Sequence, residues 1–233
     1  MTLYTLLVLS IILILLPHLI WLISWLIGLC LGGRVPYAPF GWTAVGLEVM
    51  MLLLMGYGVY IGRFRLQVNS EVFYSQHVPA QLDGYKIVHI SDIHISTFDD
   101  RPSAVQRMVD SINAQRPNLI CFTGDLVTMG VSEAEPYTSI LKQLHAKDGV
   151  YSVLGNHDFL IYRHDLSTDE ERTNEVDRLA QYEQDSLGWH VLRNAHSRIN
   201  EWLTLVGVDN KSGGGQGFHT IQAGDLSKAM EGT

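Results

Sequence analysis

Cysteine is almost absent from this chain: Cys30 and Cys121 are the only two in 233 residues. Two isolated thiols make neither a disulfide framework nor a cysteine metal site, and the usage fits a reducing compartment. Charge is almost absent from residues 1–62, where Arg34 and Glu48 are the only ionic side chains and cancel each other. The net charge of −8 therefore belongs to residues 63–233. Basic side chains are scarce overall, 16 against 24 acidic. That balance argues against nucleic acid as a partner, because a phosphate backbone needs a basic surface. No Lys or Arg precedes the first apolar run, and that run exceeds the usual hydrophobic stretch of about 7 to 15 residues in a cleaved signal peptide.

What fills the uncharged region is hydrocarbon. Leu3 to Leu31 is apolar apart from interruptions such as Pro17-His18, and a bilayer span needs only about 20 residues. Gly32 to Phe40 carries two Gly and two Pro and reads as a turn. Gly41 to Ile61 is a second apolar run containing Glu48. Two such runs in tandem read as a transmembrane hairpin over residues 1–62, with spans at about 3–31 and 41–61. A carboxylate inside a membrane is costly, so Glu48 is expected to have a partner. Arg63 and Arg65 follow the second span against Arg34 between the spans, so the positive-inside rule favours a cytoplasmic side for the rest of the chain. Residues 63–82 read as a linker into an edge strand, with Val68, Val72 and Phe73 as anchors.

From residue 83 onward the pattern changes to short apolar runs alternating with amphipathic ones. Lys86 to Ile90 reads as a short buried strand. It ends in SDIH, and if the backbone stays extended, Asp92 and His94 point to one side. A carboxylate and an imidazole converging there form a metal-ligand arrangement, although D-x-H also arises by chance. Leu119 to Phe122 is a second strand, followed by Gly124-Asp125. Val150 to Leu154 is a third, followed by Gly155-Asn156-His157-Asp158. Helices are expected from Pro102, with Val105, Met108, Val109 and Ile112 inward, and over about Glu135 to His145. Strand and helix alternation implies βαβ units and a parallel sheet, whose sites form at the carboxyl ends of strands. All three candidate turns lie there. A polar helix over Asp169 to Leu187 should bury Val176, Leu179 and Ala180. His190 to Arg193, Arg198 to Asn200 and Leu203 to Val208 read as strands of a second sheet. Lys211 to Gly217 reads as a surface loop, and Asp225 as a helix N-cap rather than a ligand.

SDIH (91–94), TGD (123–125) and GNHD (155–158), in that order, resemble the calcineurin-like metallophosphoesterases, in particular the membrane-attached bacterial members. The resemblance covers residues 83–233 and implies a four-layer αββα sandwich, C-terminally truncated here before the family's later histidines. It implies a bacterial inner-membrane location and a hydrolase of phosphoric esters, a phosphodiesterase or pyrophosphatase, acting on a substrate that is soluble or lipid-linked. By resemblance Asp92, His94 and Asp125 hold one divalent ion and Asp125 with Asn156 a second, Mn, Fe or Zn, bridged by a hydroxide, while His157 acts on the leaving oxygen. Where the family often carries an acidic residue to orient that histidine, this chain has Thr128. The resemblance further implies that the chain as it stands is inactive, and a degenerate, non-catalytic interaction module is the alternative.

Overall fold

The structure, a computed structural model, describes residues 2–166, 168–212 and 221–233. They form two compact units, Met1–Gln67 and Val68–Thr233.

The first unit is a helical hairpin. Helix α1 runs over Thr2–Leu31 and continues through Pro17, while α2 runs over Ala38–Tyr60. At 1.5 Å per residue, the 30 residues of α1 reach about 45 Å, more than a hydrocarbon core of about 30 Å. Helix α2 starts three residues before the apolar run because a proline in its first turn presets φ where the N–H needs no partner. Large apolar side chains such as Leu15, Leu29 and Leu53 stand more than half exposed along both helices. Water would not tolerate so continuous an apolar surface, and both helices are long and apolar enough to cross a membrane. Glu48 does have a partner, since the Ser10 hydroxyl donates to one of its carboxyl oxygens.

The second unit is mixed α/β. In chain order it contains β1 (Ile87–Ile90), α3 (Pro102–Asn113), β2 (Leu119–Phe122), α4 (Thr138–Leu141), β3 (Val150–Ser152), α5 (Asp169–Gln181), β4 (His190–Val191), β5 (Ala195–Arg198), β6 (Thr204–Gly207), β7 (Lys211–Ser212), β8 (Ile221–Gln222) and α6 (Leu226–Ala229). The first four strands form one parallel sheet in sequential order. Alternation along β2 divides the core. Ile120 and Phe122 face the helices, packing with Val105 and Val109 of α3, Leu179 of α5 and Trp189. Leu119 faces the other way, into a cluster with Tyr151 and Leu192 that Leu203 and Leu205 cover from the β5–β6 ribbon. Both faces of the sheet are therefore covered, as a parallel sheet requires.

Several sequence expectations change in the folded chain. The segment before β1 forms no strand among the described residues, and Val68, Val72 and Phe73 are exposed rather than anchoring. Strand β1 lies at the edge of its sheet, so Ile87 is exposed. The helix expected over residues 135–145 shrinks to one 3₁₀ turn and α4. Asn113 at the end of α3 explains why: its side chain donates to the Gln143 carbonyl (2.8 Å) and accepts from the His145 N–H (3.2 Å), drawing those backbone groups out of a helical ladder. His190 and Val191 join the first sheet, pairing with β3, instead of the second. Val176, Leu179 and Ala180 are buried as the helical period required. Asp225 is an N-cap, accepting from the Lys228 N–H at 3.0 Å. The loop expected over 211–217 lies largely outside the described residues.

Candidate metal centre

The carboxyl ends of β1, β2 and β3 are stitched together by backbone hydrogen bonds. Thr123 N–H donates to the Ile90 carbonyl, and Val153 N–H to that of Phe122, both at 3.0 Å. Past the strands, Asp92, His94 and Ile95 donate to the carbonyls of Gly124, Asp125 and Leu126 at 2.9–3.0 Å. The turn after β1 therefore rides on the turn after β2. Extended backbone does not bring Asp92 and His94 together, as alternation had suggested. Both adopt the left-handed region, with φ of 52° and 42°, as does Asp125 at 60°. Non-glycine residues rarely go there, and three of them at one strand-end cluster store strain where the ligand types converge.

Two glycines let the turns after β2 and β3 touch. Gly124 has φ of +95°, and a Cβ there would sit 2.1 Å from the Gly155 nitrogen. A Cβ on Gly155 would sit 2.2 Å from Asp125 Oδ1. With that space free, His157 N–H donates to Asp125 Oδ1 at 2.8 Å. Asp125 Oδ2 lies 3.7 Å from His94 Nε2, and Asp92 Oδ1 lies 3.8 Å from the same nitrogen. The rings of His94 and His157 meet edge to face at 4.6 Å. One ligand atom from each of His94, Asp125 and His157 falls within 4.8 Å of the others. Asn156 occupies the same turn and is half-buried. Asp92, His94 and Asp125 are thus assembled as neighbours, with His157 in the same cluster.

The set fits a divalent ion. Carboxylate oxygens and imidazole nitrogens suit hard to borderline cations. Among the described residues the buried His157 Nδ1 has no hydrogen-bond partner, so this cluster keeps an unmatched ring nitrogen. Thr128, at the place where an acidic residue was expected to orient His157, instead lies 3.4 Å from His94 Nδ1. The face of His157 is occupied by Tyr162, with ring centroids 4.3 Å apart.

Sequence reasoning missed the support beneath the site. Asp158 is fully buried and clamps both turns, accepting from the N–H groups of Asp125 (2.6 Å), Gly155 (2.9 Å) and Val127 (3.2 Å). Its place in GNHD was visible, but which amides it would gather was not. Burial raises its pKa to about 7 against the pull of those three donors. Glu183 is a second fully buried carboxyl, accepting from Ser152 Oγ at 2.6 Å. Burial holds it well above the ordinary carboxylate range, with the Asp158 charge adding to the effect.

Both groups bind protons more tightly folded than unfolded. Their contribution to stability is therefore complete below the unfolded carboxylate range, about pH 4; that of Asp158 is lost as pH rises through about 7, and that of Glu183 as pH rises through its own raised value. Glu183→Gln keeps an oxygen for Ser152 but cannot ionise. In metal-free protein the wild type should melt at a lower temperature at about pH 8.5 than at about pH 6, and the variant should show a smaller drop. Equal drops in the two proteins would mean that Glu183 does not titrate in this range.

The match to known proteins agrees with this geometry. Residues 85–227 match the family described as calcineurin-like phosphoesterase. The chain is 28% identical over 141 residues to a transmembrane protein with metallophosphoesterase domain from Danio rerio, covering 58% of this chain and 29% of that protein. It is 31% identical over 108 residues to the metallophosphoesterase YkuE of Bacillus subtilis, covering 44% and 36%. It is 40% identical over 86 residues to the UDP-2,3-diacylglucosamine pyrophosphatase LpxG of Chlamydia trachomatis, covering 36% and 25%. The aligned parts thus span well under two thirds of these relatives. With more than half of its residues inside the family match, and with that family's carboxylate and imidazole side chains gathered at three adjoining strand ends, the chain belongs to the calcineurin-like phosphoesterases.

Proposed function

We propose that this protein is a metal-dependent phosphoric ester hydrolase of the phosphodiesterase or pyrophosphatase type, held at a membrane by residues 1–62, with residues 83–233 as its catalytic domain. The observation that carries the reading is the cluster of His94, Asp125 and His157 beside Asp92 at the carboxyl ends of parallel strands. Asp92, His94 and Asp125 would hold one divalent ion, and Asp125 with Asn156 a second. When bound, such ions polarise phosphoryl oxygens and lower the pKa of water. The chain's own side chains divide the remaining work. His157 holds a proton for the departing oxygen, while its backbone N–H fixes Asp125 and Tyr162 fixes its ring plane. Asp158 holds the two turns at the spacing the ligands need.

The apolar hairpin favours an inner-membrane protein with its catalytic part on the cytoplasmic side, following the arginines after α2. A site held beside a bilayer suits a lipid-linked phosphoester or pyrophosphate, the kind of molecule that the name of the LpxG relative describes.

His157→Ala should lower turnover of a chromogenic phosphodiester, assayed with added Mn, by about a hundredfold or more, while metal content stays near that of the wild type. Loss of metal along with turnover would make His157 a ligand. Unchanged turnover would remove it from the chemistry.

A further inference from the structure

The imidazole of His94 has few contacts that fix which of its atoms face the two aspartates. Its Nε2 lies 3.8 Å from Asp92 Oδ1 and 3.7 Å from Asp125 Oδ2, too far for a hydrogen bond to either. The edge-to-face contact with His157 restrains the ring but does not tell its nitrogens from its carbons. Among the described residues one hydrogen-bond partner does, the Thr128 hydroxyl, 3.4 Å from Nδ1.

A bond of that length is weak, so its effect depends on how firmly the hydroxyl is held. Thr128 is held on both sides. Its N–H donates to Glu133 Oε2 at 2.7 Å, and the next N–H, of Met129, donates to Oε1 of the same carboxylate at 3.0 Å. On the other side the Val127 N–H donates to Asp158 Oδ1 at 3.2 Å. The backbone at Thr128 is thus pinned between two carboxylates, and its β-branched side chain has few rotamers. Ser96 Oγ lies 3.2 Å from the hydroxyl and can take its proton, which leaves the Thr128 oxygen to accept from an Nδ1–H. The backbone of His94 is tied to the same turn, its N–H donating to the Asp125 carbonyl at 2.9 Å. Ring and hydroxyl therefore share one frame.

A neutral imidazole with its proton on Nδ1 keeps a lone pair on Nε2, the nitrogen that faces both carboxylates. On the reading that Asp92, His94 and Asp125 ligate one ion, we infer that Thr128, braced by Glu133 and Ser96, is the positioning residue of His94 and turns the lone pair of that nitrogen toward the ion. The hydroxyl that stands where an acid was expected for His157 thus serves the neighbouring histidine. Losing such a partner typically costs a metal site 10- to 100-fold in affinity, and a neutral hydroxyl at this distance belongs near the low end, about tenfold.

Thr128→Val keeps the backbone N–H that Glu133 holds and the branched shape but removes the hydroxyl, whereas Thr128→Ser keeps the hydroxyl. In the full chain in lipid nanodiscs, Mn binding, read from loss of the free-ion electron paramagnetic resonance signal, should weaken about tenfold in Thr128→Val and return close to wild type in Thr128→Ser. In the metal-free chain carrying isotope-labelled histidine, the NMR resonance of His94 Nδ1, identified by its loss in His94→Gln, should move in Thr128→Val and return in Thr128→Ser. A role confined to the Thr128 backbone would leave both readouts unmoved, because every variant keeps that N–H. Thr128→Ala takes the place of Thr128→Val if the latter fails to accumulate. Equal Mn affinity with and without the hydroxyl, or an unmoved ring resonance, would overturn the inference. A wild type that binds no Mn would instead overturn the ligand assignment on which the inference rests. Neither readout requires phosphoester turnover, so the two failures are distinguishable.

Discussion

Asp125→Asn in the full-length protein is expected to abolish phosphodiester hydrolysis, lowering it by about a thousandfold or more. Ion-based charge stabilisation is worth several kcal/mol, and each 1.36 kcal/mol is one decade of rate. The change is nearly isosteric, so the fold should survive it. Asp125 Oδ1 accepts from the His157 N–H, and an asparagine oxygen can replace it there. The amide nitrogen must then take the place of Oδ2, facing His94, where a donor cannot ligate an ion. Metal content should fall together with activity, while the melting temperature of the apo form changes little. Asp225→Asn is the matched control. Asp225 caps α6 from an exposed position, and asparagine caps as well as aspartate. Equal activity losses from the two changes would refute the assignment of Asp125 to the site.

The second large effect concerns the contact between the turns. Gly124→Ala adds a Cβ 2.1 Å from the Gly155 nitrogen while holding φ at +95°, and Gly155→Ala adds one 2.2 Å from Asp125 Oδ1. Neither neighbour is the end of a flexible side chain free to move aside. Asp125 is held at Oδ1 by His157 and through its own N–H by Asp158. Overpacking costs about 1–3 kcal/mol and a strained backbone conformation a similar amount, so Gly124→Ala should lose about 3–5 kcal/mol. That is a large part of the 5–15 kcal/mol available to an ordinary domain, and it should lower the melting temperature of the second unit by about 10 °C or more. Gly84→Ala separates the two contributions, since Gly84 also has positive φ, +70°, but open space around it. It should lose only about 1 kcal/mol. A Gly124→Ala protein that melts with the Gly84→Ala protein would show that the turns are not locked together as described.

These two sites also show where sequence reasoning succeeds and where it stops. Asp125 was legible because three apolar runs of strand length each ended in ligand residue types, and a parallel sheet places such ends side by side. The alternation in β2 and the inner face of α5 followed for the same reason: burial on one side imposes a period that single residues report. Asp158 was named in its turn but not given its work, because accepting from amides 31 to 33 residues away is a property of the assembled turns. Glu183 was hidden entirely. A carboxyl in a polar helix reads as solvated, and only packing against Ser152 of β3 buries it.

The remaining mistakes share a cause. Asp92 and His94 do meet, but through left-handed backbone instead of an extended strand, since hydrogen bonds to the neighbouring turn override local preference. The helix after residue 135 is cut short by Asn113, a partner distant in sequence. Val68, Val72 and Phe73, read as anchors of the linker, stand exposed, because anchoring takes a packed neighbour that sequence does not report. Hydropathy and periodicity were enough to reveal the apolar hairpin, the parallel sheet and the order of its Asp- and His-bearing turns, because burial acts on each residue through its own chemistry. The spacing of the Asp and His side chains and the carboxylate clamp under them were decided only in three dimensions. Each depends on a hydrogen-bond partner that lies far away in the chain, and only folding brings the two together.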